Sequence, residues 1–192
     1  MTEKHMNLEY LKDGSRKQRQ MVAAVEELGI LDLLSEYTPL IAGSIPIDID
    51  IESSDIDVVC CVYDHSKFER QISQLFSNYA DFYIETKMIE GIRRTVCSFK
   101  FKGMIFEVFG QPVPSDRQNA YIHMIIENRI LELLGESSKE AIRAMKRSGL
   151  KTEPAFGRLL ELDGDPYKEL LVMYNWSDAA LKTFVKNKCV VE

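Results

Sequence analysis

PLIAGSIPIDIDIESSDIDVVCCV, residues 39–62, decides how this chain is read. A short apolar run at 40–42 ends in Gly43-Ser44. Ten residues follow, and then Asp55-Ile56-Asp57 enters a second apolar run at 58–62. Side chains alternate along a strand, so Asp55 and Asp57 project from one face, a single pleat apart. Two carboxylates held that close repel unless a cation lies between them or one takes up a proton. Oxygen ligands on a rigid strand, with room for water and phosphate, suit magnesium. A Gly-Ser turn offers backbone N–H groups and a hydroxyl that can approach a phosphate closely. The expectation is a site for a metal-bound nucleoside triphosphate.

Gly43-Ser44 followed at this spacing by Asp55-Ile56-Asp57 resembles the signature of the polymerase-β-like nucleotidyltransferase superfamily. The match spans roughly residues 38–110. The whole chain is also similar to a family of small bacterial proteins, a domain of unknown function placed in that superfamily. The resemblance implies an α+β fold with a mixed, mainly antiparallel sheet flanked by helices and followed by a helical C-terminal part. It also implies a third carboxylate on a later strand, with Mg2+ or Mn2+ as cofactor and an NTP as substrate. Glu107 is the carboxylate that falls at that place, so Asp55, Asp57 and Glu107 become the expected metal-holding and catalytic set. Gly43 and Ser44 become the expected nucleotide-binding pair. The bland account of Glu107 is an exposed edge or an ion pair with Arg93 or Arg94. The bland account of Asp55-Ile56-Asp57 is a strand entry with exposed acids.

At 192 residues, with 45% hydrophobic and 28% charged residues, the composition is that of a globular protein. We expect a nucleotidyltransferase-like core with an N-terminal helix over 1–114 and a packed helical part over 115–192. The net charge of −6 argues against an extended nucleic-acid partner. A small, even cationic, acceptor or a protein acceptor sits better with it. No apolar run is long enough to span a bilayer, and the N-terminus has no apolar signal core, so a cytoplasmic protein without a membrane partner is expected. Cys60, Cys61, Cys97 and Cys189 lack metal or redox spacing and read as small hydrophobes.

A helix is expected over 15–28, capped by Ser15 and ended by Gly29, then a short link and a strand at 40–44. Isoleucines at 45, 47, 49 and 51 alternate with Asp48, Asp50 and Glu52, which suggests a β-hairpin arm. Related enzymes often place a basic residue there, and this stretch has none. Acids near a triphosphate must bind metal, point away, or weaken binding. That favours the alternative reading, a catalytically inactive nucleotide-binding or regulatory protein with the same fold. Beyond it come a strand at 56–62, a helix at 65–79 capped by Asp64, and a meander of strands at 82–89, 93–101 and 104–109.

One long helix is expected over 115–134. Along it Asn119, His123 and Glu127 recur every four residues and stack on one face. That face is either solvated or a wall of the site, with His123 or Glu127 carrying a proton or touching substrate. Helices at 137–147 (capped by Ser137 or Ser138), 154–162, 166–174 and 177–187 complete the chain. The acidic stretch at 161–165 does not have EF-hand spacing and reads as a turn. Tyr174 and Trp176 read as packing residues.

Overall fold

Ser15 opens the first helix through a capping box. Its hydroxyl accepts from Gln18 N at 3.3 Å while Gln18 Oε1 accepts from Ser15 N at 2.9 Å. Helix α1 (Arg16–Leu28) then runs to Gly29, whose left-handed φ of 65° stops it. A single turn α2 (Ile30–Leu33) and a 3-10 turn (Ser35–Tyr37) lead to strand β1 (Leu40–Ala42). These and later elements come from a computed structural model that describes residues 8–188; Cys189 lies outside them.

Contacts divide the chain into two units. The first comprises the chain up to Pro46 and Ser54–Tyr121; the second comprises Ile47–Ser53 and the residues from Ile122 on.

In the first unit, β1 is followed by β2 (Ile56–Cys61), α3 (His65–Phe76), β3 (Ala80–Ile89), β4 (Ile92–Phe101) and β5 (Met104–Gln111). Asp64 caps α3 by accepting from Lys67 N at 2.9 Å. The five strands lie in the order β1-β2-β5-β4-β3. β2 and β5 are parallel; every other neighbouring pair is antiparallel. Glu90-Gly91 and Lys102-Gly103 make the two tight turns, all four residues having positive φ, as a type I′ hairpin requires.

The sheet is two-faced. Ile56, Val58, Cys60, Cys97, Phe99, Phe106 and Val108 are buried with Phe68, Ile72 and Phe76 of α3 and Met21, Val22 and Val25 of α1. Phe99 stacks between Phe76 and Phe106 at centroid distances of 4.7 and 5.3 Å. The opposite face carries Asp57, Glu107 and Phe109, which are half-buried. Burial pushes the Cys60 and Cys97 thiols up to about 12, as expected of inert core cysteines.

The β-hairpin arm expected at 45–54 is not formed; this stretch is a series of turns, with Asp48 at φ 59°. Ile45, Ile47 and Ile49 are buried nonetheless, each anchoring a bend rather than one face of a strand. The period of two is real, but anchors at a loop's bends can produce it without a ladder.

The second unit is helical: α4 (Asn119–Leu134, from Ile122 on), α5 (Glu136–Arg147), α6 (Thr152–Leu159), α7 (Pro166–Tyr174) and α8 (Asp178–Lys188). The single helix expected over 115–134 is broken. A 3-10 turn (Ser115–Arg117) precedes α4, with Gln118 extended between them at φ −77°, ψ 142°. Its side chain holds two backbone carbonyls, Cys60 O at 2.8 Å and Val113 O at 3.0 Å, and this fixes the break. The expected Ser137 or Ser138 cap of α5 is replaced by Gly135 at φ 82°. Ser138 donates back to the Gly135 carbonyl at 2.6 Å instead. Asp165 caps α7 just before Pro166, so the acidic turn ends in a helix start. Trp176 meets Phe184 edge-on at 5.3 Å, as a packing residue does. No helix among the described residues is long and apolar enough to cross a membrane.

Candidate functional site

β2 and β5 run side by side in parallel, and their register pairs Asp57 directly with Glu107. Adjacent strands lie about 4.8 Å apart, so both carboxylates leave one face of the sheet as neighbours. On the other flank of β2, Asp57 pairs with Ala42, the last residue of β1. The chain then turns through Gly43 at φ 86°, where a Cβ would lie 1.9 Å from Asp57 Oδ2. The turn thus needs glycine twice over, for its backbone conformation and for the carboxylate lying against it. Ser44 follows and donates to the Ser54 hydroxyl at 3.2 Å, tying the two ends of the intervening loop.

Asp57 and Glu107 line a cleft of about 340 Å³. Its floor continues along the strands over Val59 and Phe109, and Arg94, Arg117, Gln118 and Asn119 contribute to its lining. Of the sequence-derived candidates, the structure therefore brings Asp57, Glu107 and Asn119 to one cleft, with Gly43 against Asp57. Asp55 is half-buried just before β2 begins and is not among the lining residues. Among the described residues, no three His, Cys, Asp or Glu side chains are grouped as a metal-holding cluster. The donor set fits magnesium held by one or two carboxylates together with water and phosphate, rather than a complete protein cage.

His123 and Glu127 belong to the helical unit and do not line this cleft. His123 is buried; its Nε2 meets the Tyr167 carbonyl at 2.9 Å and its Nδ1 lies 3.3 Å from Glu153. Burial opposes charge on the ring, yet the Glu153 and Tyr167 partners lift its pKa above the ordinary histidine value. Glu127 is 3% exposed, with Oε1 lacking a hydrogen-bond partner. Burial, reinforced by Glu153, pushes its pKa up to about 8.

The acids of the 47–53 loop also belong to the helical unit. Asp48 pairs with Arg143 at 3.0 Å and Lys139 at 3.5 Å, and Glu52 with Arg147 at 3.5 Å. Lys146 donates to the Ile49 carbonyl at 2.9 Å. The charges of Asp48 and Glu52 are answered by cations of α5.

Arg94, Arg117 and Gln118 of the cleft escape the sequence reading. Arg94 enters it only as an ion-pair partner for Glu107, and Arg117 and Gln118 do not enter it at all. A signal for Arg94 exists. The tight turn at Lys102-Gly103 fixes the β4–β5 register, pairing Ser98 with Glu107, which puts Arg94 on the same face. For Gln118 there is none, because its place depends on the break before α4.

A family model described as a domain of unknown function, DUF4269, matches residues 23–173. A search of curated proteins finds no match. Among solved structures, the chain is similar to the Cid1 poly(U) polymerase with Mg and 3′-dATP bound. Identity is 11% and the TM-score 0.50, over 81% of this chain and 48% of that one. The MgGTP-bound form of that polymerase aligns at 10% identity and TM-score 0.51, over 88% and 55%. A cytoplasmic RNA terminal U-transferase aligns at 12% and 0.50, over 81% and 47%. The chain spans about half the length of these structures. At such identity the likeness is one of fold, and that fold is nucleotidyltransferase-like.

Proposed function

This chain belongs to the DUF4269 family, and from that premise we propose that it is a metal-dependent nucleotidyltransferase, moving the NMP of an NTP to an acceptor hydroxyl or phosphate. The observation that carries this reading is the Asp57–Glu107 pair on adjacent parallel strands, with the Asp57 carboxylate closed against Gly43. Asp57 and Glu107 would hold Mg2+ or Mn2+, with Asp55, just ahead of β2, as a third carboxylate. Once bound, the cation would supply charge stabilisation to the attacking and leaving oxygens. The Gly43 N–H and the Ser44 hydroxyl would hold the outer phosphates. Glu107, one strand further from Gly43, would orient the acceptor hydroxyl by accepting its hydrogen bond. Asn119 would touch the substrate from the cleft wall.

Of the neighbours, one is described as a poly(U) polymerase and another as an RNA terminal U-transferase. For this chain a cleft of about 340 Å³ supports a small-molecule acceptor better than a long strand. A cytoplasmic setting fits the NTP. The alternative, nucleotide binding without turnover, is favoured by one observation: Asp55 does not group with the other two carboxylates.

Thermal unfolding with each NTP, with and without Mg2+ or Mn2+, tests the reading on wild type and Asp57→Asn. Ligand at a hundred times its Kd stabilises by about 2.7 kcal/mol, which for a chain of this length is a rise of roughly 5–10 °C. The expected result is a metal-dependent rise with at least one NTP that a folded Asp57→Asn protein lacks. Such a rise without transfer to any acceptor would favour the binding-only protein. A folded wild type that responds to no NTP would remove both readings.

A further inference from the structure

The cleft has two chemical ends. Asp57, near the start of β2, pairs with Glu107 midway along β5, and the Asp57 carboxylate lies against Gly43. Across the sheet the order continues from β2 to β5 to β4, away from the Gly-Ser turn. Along β5 the antiparallel register pairs Ser98 with Glu107 and Thr95 with Gly110, so Arg94 falls opposite Gln111. That is four residues, about 13 Å at the rise of a strand, beyond Glu107 on the same face. Val59 and Phe109 form an apolar floor between the ends, and Arg117 adds a second cation to the far one.

The far end also carries unspent hydrogen-bonding capacity. Arg94 Nε is shut away from solvent and has no hydrogen-bond partner. The ion pair recorded for its guanidinium is with Glu90, at 3.8 Å, and that carboxylate is 84% exposed. A pair so solvated is weak. Gln118 is 2% exposed and spends its amide N–H groups on Cys60 O and Val113 O, which orients the carboxamide and leaves Oε1 without a partner. Leaving such groups unsatisfied is unfavourable; Arg94 Nε–H calls for an acceptor such as an anion's oxygen, whereas Gln118 Oε1 only accepts and calls for a donor such as a ligand hydroxyl.

We propose that this end is the acceptor subsite and that it takes a small molecule bearing a phosphate monoester or a carboxylate, held by Arg94 with help from Arg117. A guanidinium is suited to either anion through paired N–H donors. A cleft of about 340 Å³ fits an acceptor of small-molecule size. An anionic group there would leave a neutral hydroxyl-bearing body over Val59 and Phe109, reaching toward Glu107. The inference rests on the transferase reading above and reverses the cationic acceptor that the net charge of the chain favoured. A bound group meets the charge of Arg94 and Arg117 at this end at far shorter range than the net charge spread over the whole chain.

Titration calorimetry with inorganic phosphate, ribose 5-phosphate and acetate tests it, each probe alone and again with saturating Mg·NTP. Wild type should bind at least one anion, and Arg94→Gln should weaken it at least tenfold while leaving Mg·NTP affinity unchanged. The phosphate probes and acetate distinguish the two anion classes. Anion binding that Mg·NTP displaces, or an Arg94→Gln protein with weakened Mg·NTP affinity, would assign Arg94 to the nucleotide and overturn the proposal. Equal anion binding by wild type and Arg94→Gln, or no anion binding by a wild type that does bind Mg·NTP, would overturn it too. Arg94-dependent anion binding without any NTP binding would sustain the anion site and sink the transferase reading instead.

Discussion

Acidic side chains are gathered twice in this protein, in opposite surroundings. Asp57 and Glu107 stand half-buried on an open sheet face, on adjacent strands, with a glycine turn against one of them. Glu127 and Glu153 are held among the helices, with His123 bonded to Glu153 and to a backbone carbonyl. In the first place the fold brings charge together and leaves a cleft beside it. In the second the fold pairs His123 with Glu153 and a backbone carbonyl and leaves little room for solvent, and burial drives Glu127 toward its neutral form. Residue type alone does not distinguish a site for chemistry from an internal polar joint. What distinguishes them is whether the fold leaves space and backbone donors next to the acids.

That contrast can be broken hardest at Gly43. In Gly43→Ala the new methyl would meet Asp57 Oδ2 at 1.9 Å, at a φ of 86° that alanine resists. The backbone alone costs roughly 1–2 kcal/mol, and Asp57 must move. We expect a clearly lowered melting temperature and complete loss of the metal-dependent NTP response. A Gly43→Ala protein that still responds to Mg·NTP would mean the turn is not part of the site.

The helical cluster should respond to pH instead. The folded protein holds the Glu127 proton up to about pH 8, whereas a carboxyl without that burial releases it near 4.5. Between those values the folded state binds the extra proton, so stability falls as pH rises. His123 acts in the same direction: its raised pKa lends stability below the ordinary histidine value that is lost as pH rises through the folded one. Glu153, whose burial is outweighed by the His123 bond, has a lowered pKa and supports the fold above its ordinary value. Glu127→Gln should therefore flatten the decline from pH 5 to 8 and be the more stable protein at pH 8.5, by on the order of a few kcal/mol. Urea unfolding at several pH values measures it, and an unchanged pH profile would mean that Glu127 ionises freely.

His123→Ala sharpens the comparison further. It removes the imidazole between Glu153 and the Tyr167 carbonyl and should cost about 1–3 kcal/mol in unfolding free energy. Mg·NTP affinity should not change; a weakened affinity would move His123 from the joint to the site. The smallest effect is expected at Ser44→Ala. Loss of its 3.2 Å bond to Ser54 should lower stability by roughly 0.5–1 kcal/mol. The NTP Kd should rise several-fold, read by the same calorimetry.

Much of the fold was legible in the sequence because its signals are local. Ser15 with Gln18, Asp64, Gly29 and the two tight turns each act within a few residues, and the strands and α3 fall where their patterns place them. The candidate site was legible as far as the spacing of Gly43-Ser44 and Asp57, together with the single carboxylate of β5. What was hidden depends on distant partners. The isoleucines at 45, 47 and 49 mimic a strand because each bend of the loop is anchored inward. The break at Gln118 exists because its side chain bonds Cys60, 58 residues earlier. His123 and Glu127 share a helix face with Asn119, but that periodicity cannot say where one unit ends within the helix.

The loop 47–53 carries a consequence for how the molecule is made. Its flanks, Gly43-Ser44 and Asp55-Ile56-Asp57, belong to the sheet unit, while the loop itself belongs to the helices. Its partner Lys146 lies 97 residues further along from Ile49. At synthesis rates of about 5–20 residues per second, Ile47 and Ile49 leave the ribosome roughly 5–20 s before α5 exists to receive that contact. The contact between the loop and α5 can form only after that interval. Newborn chains would thus pass through a stage with an unclaimed apolar loop, and a chain cut short after Tyr121 would stay there.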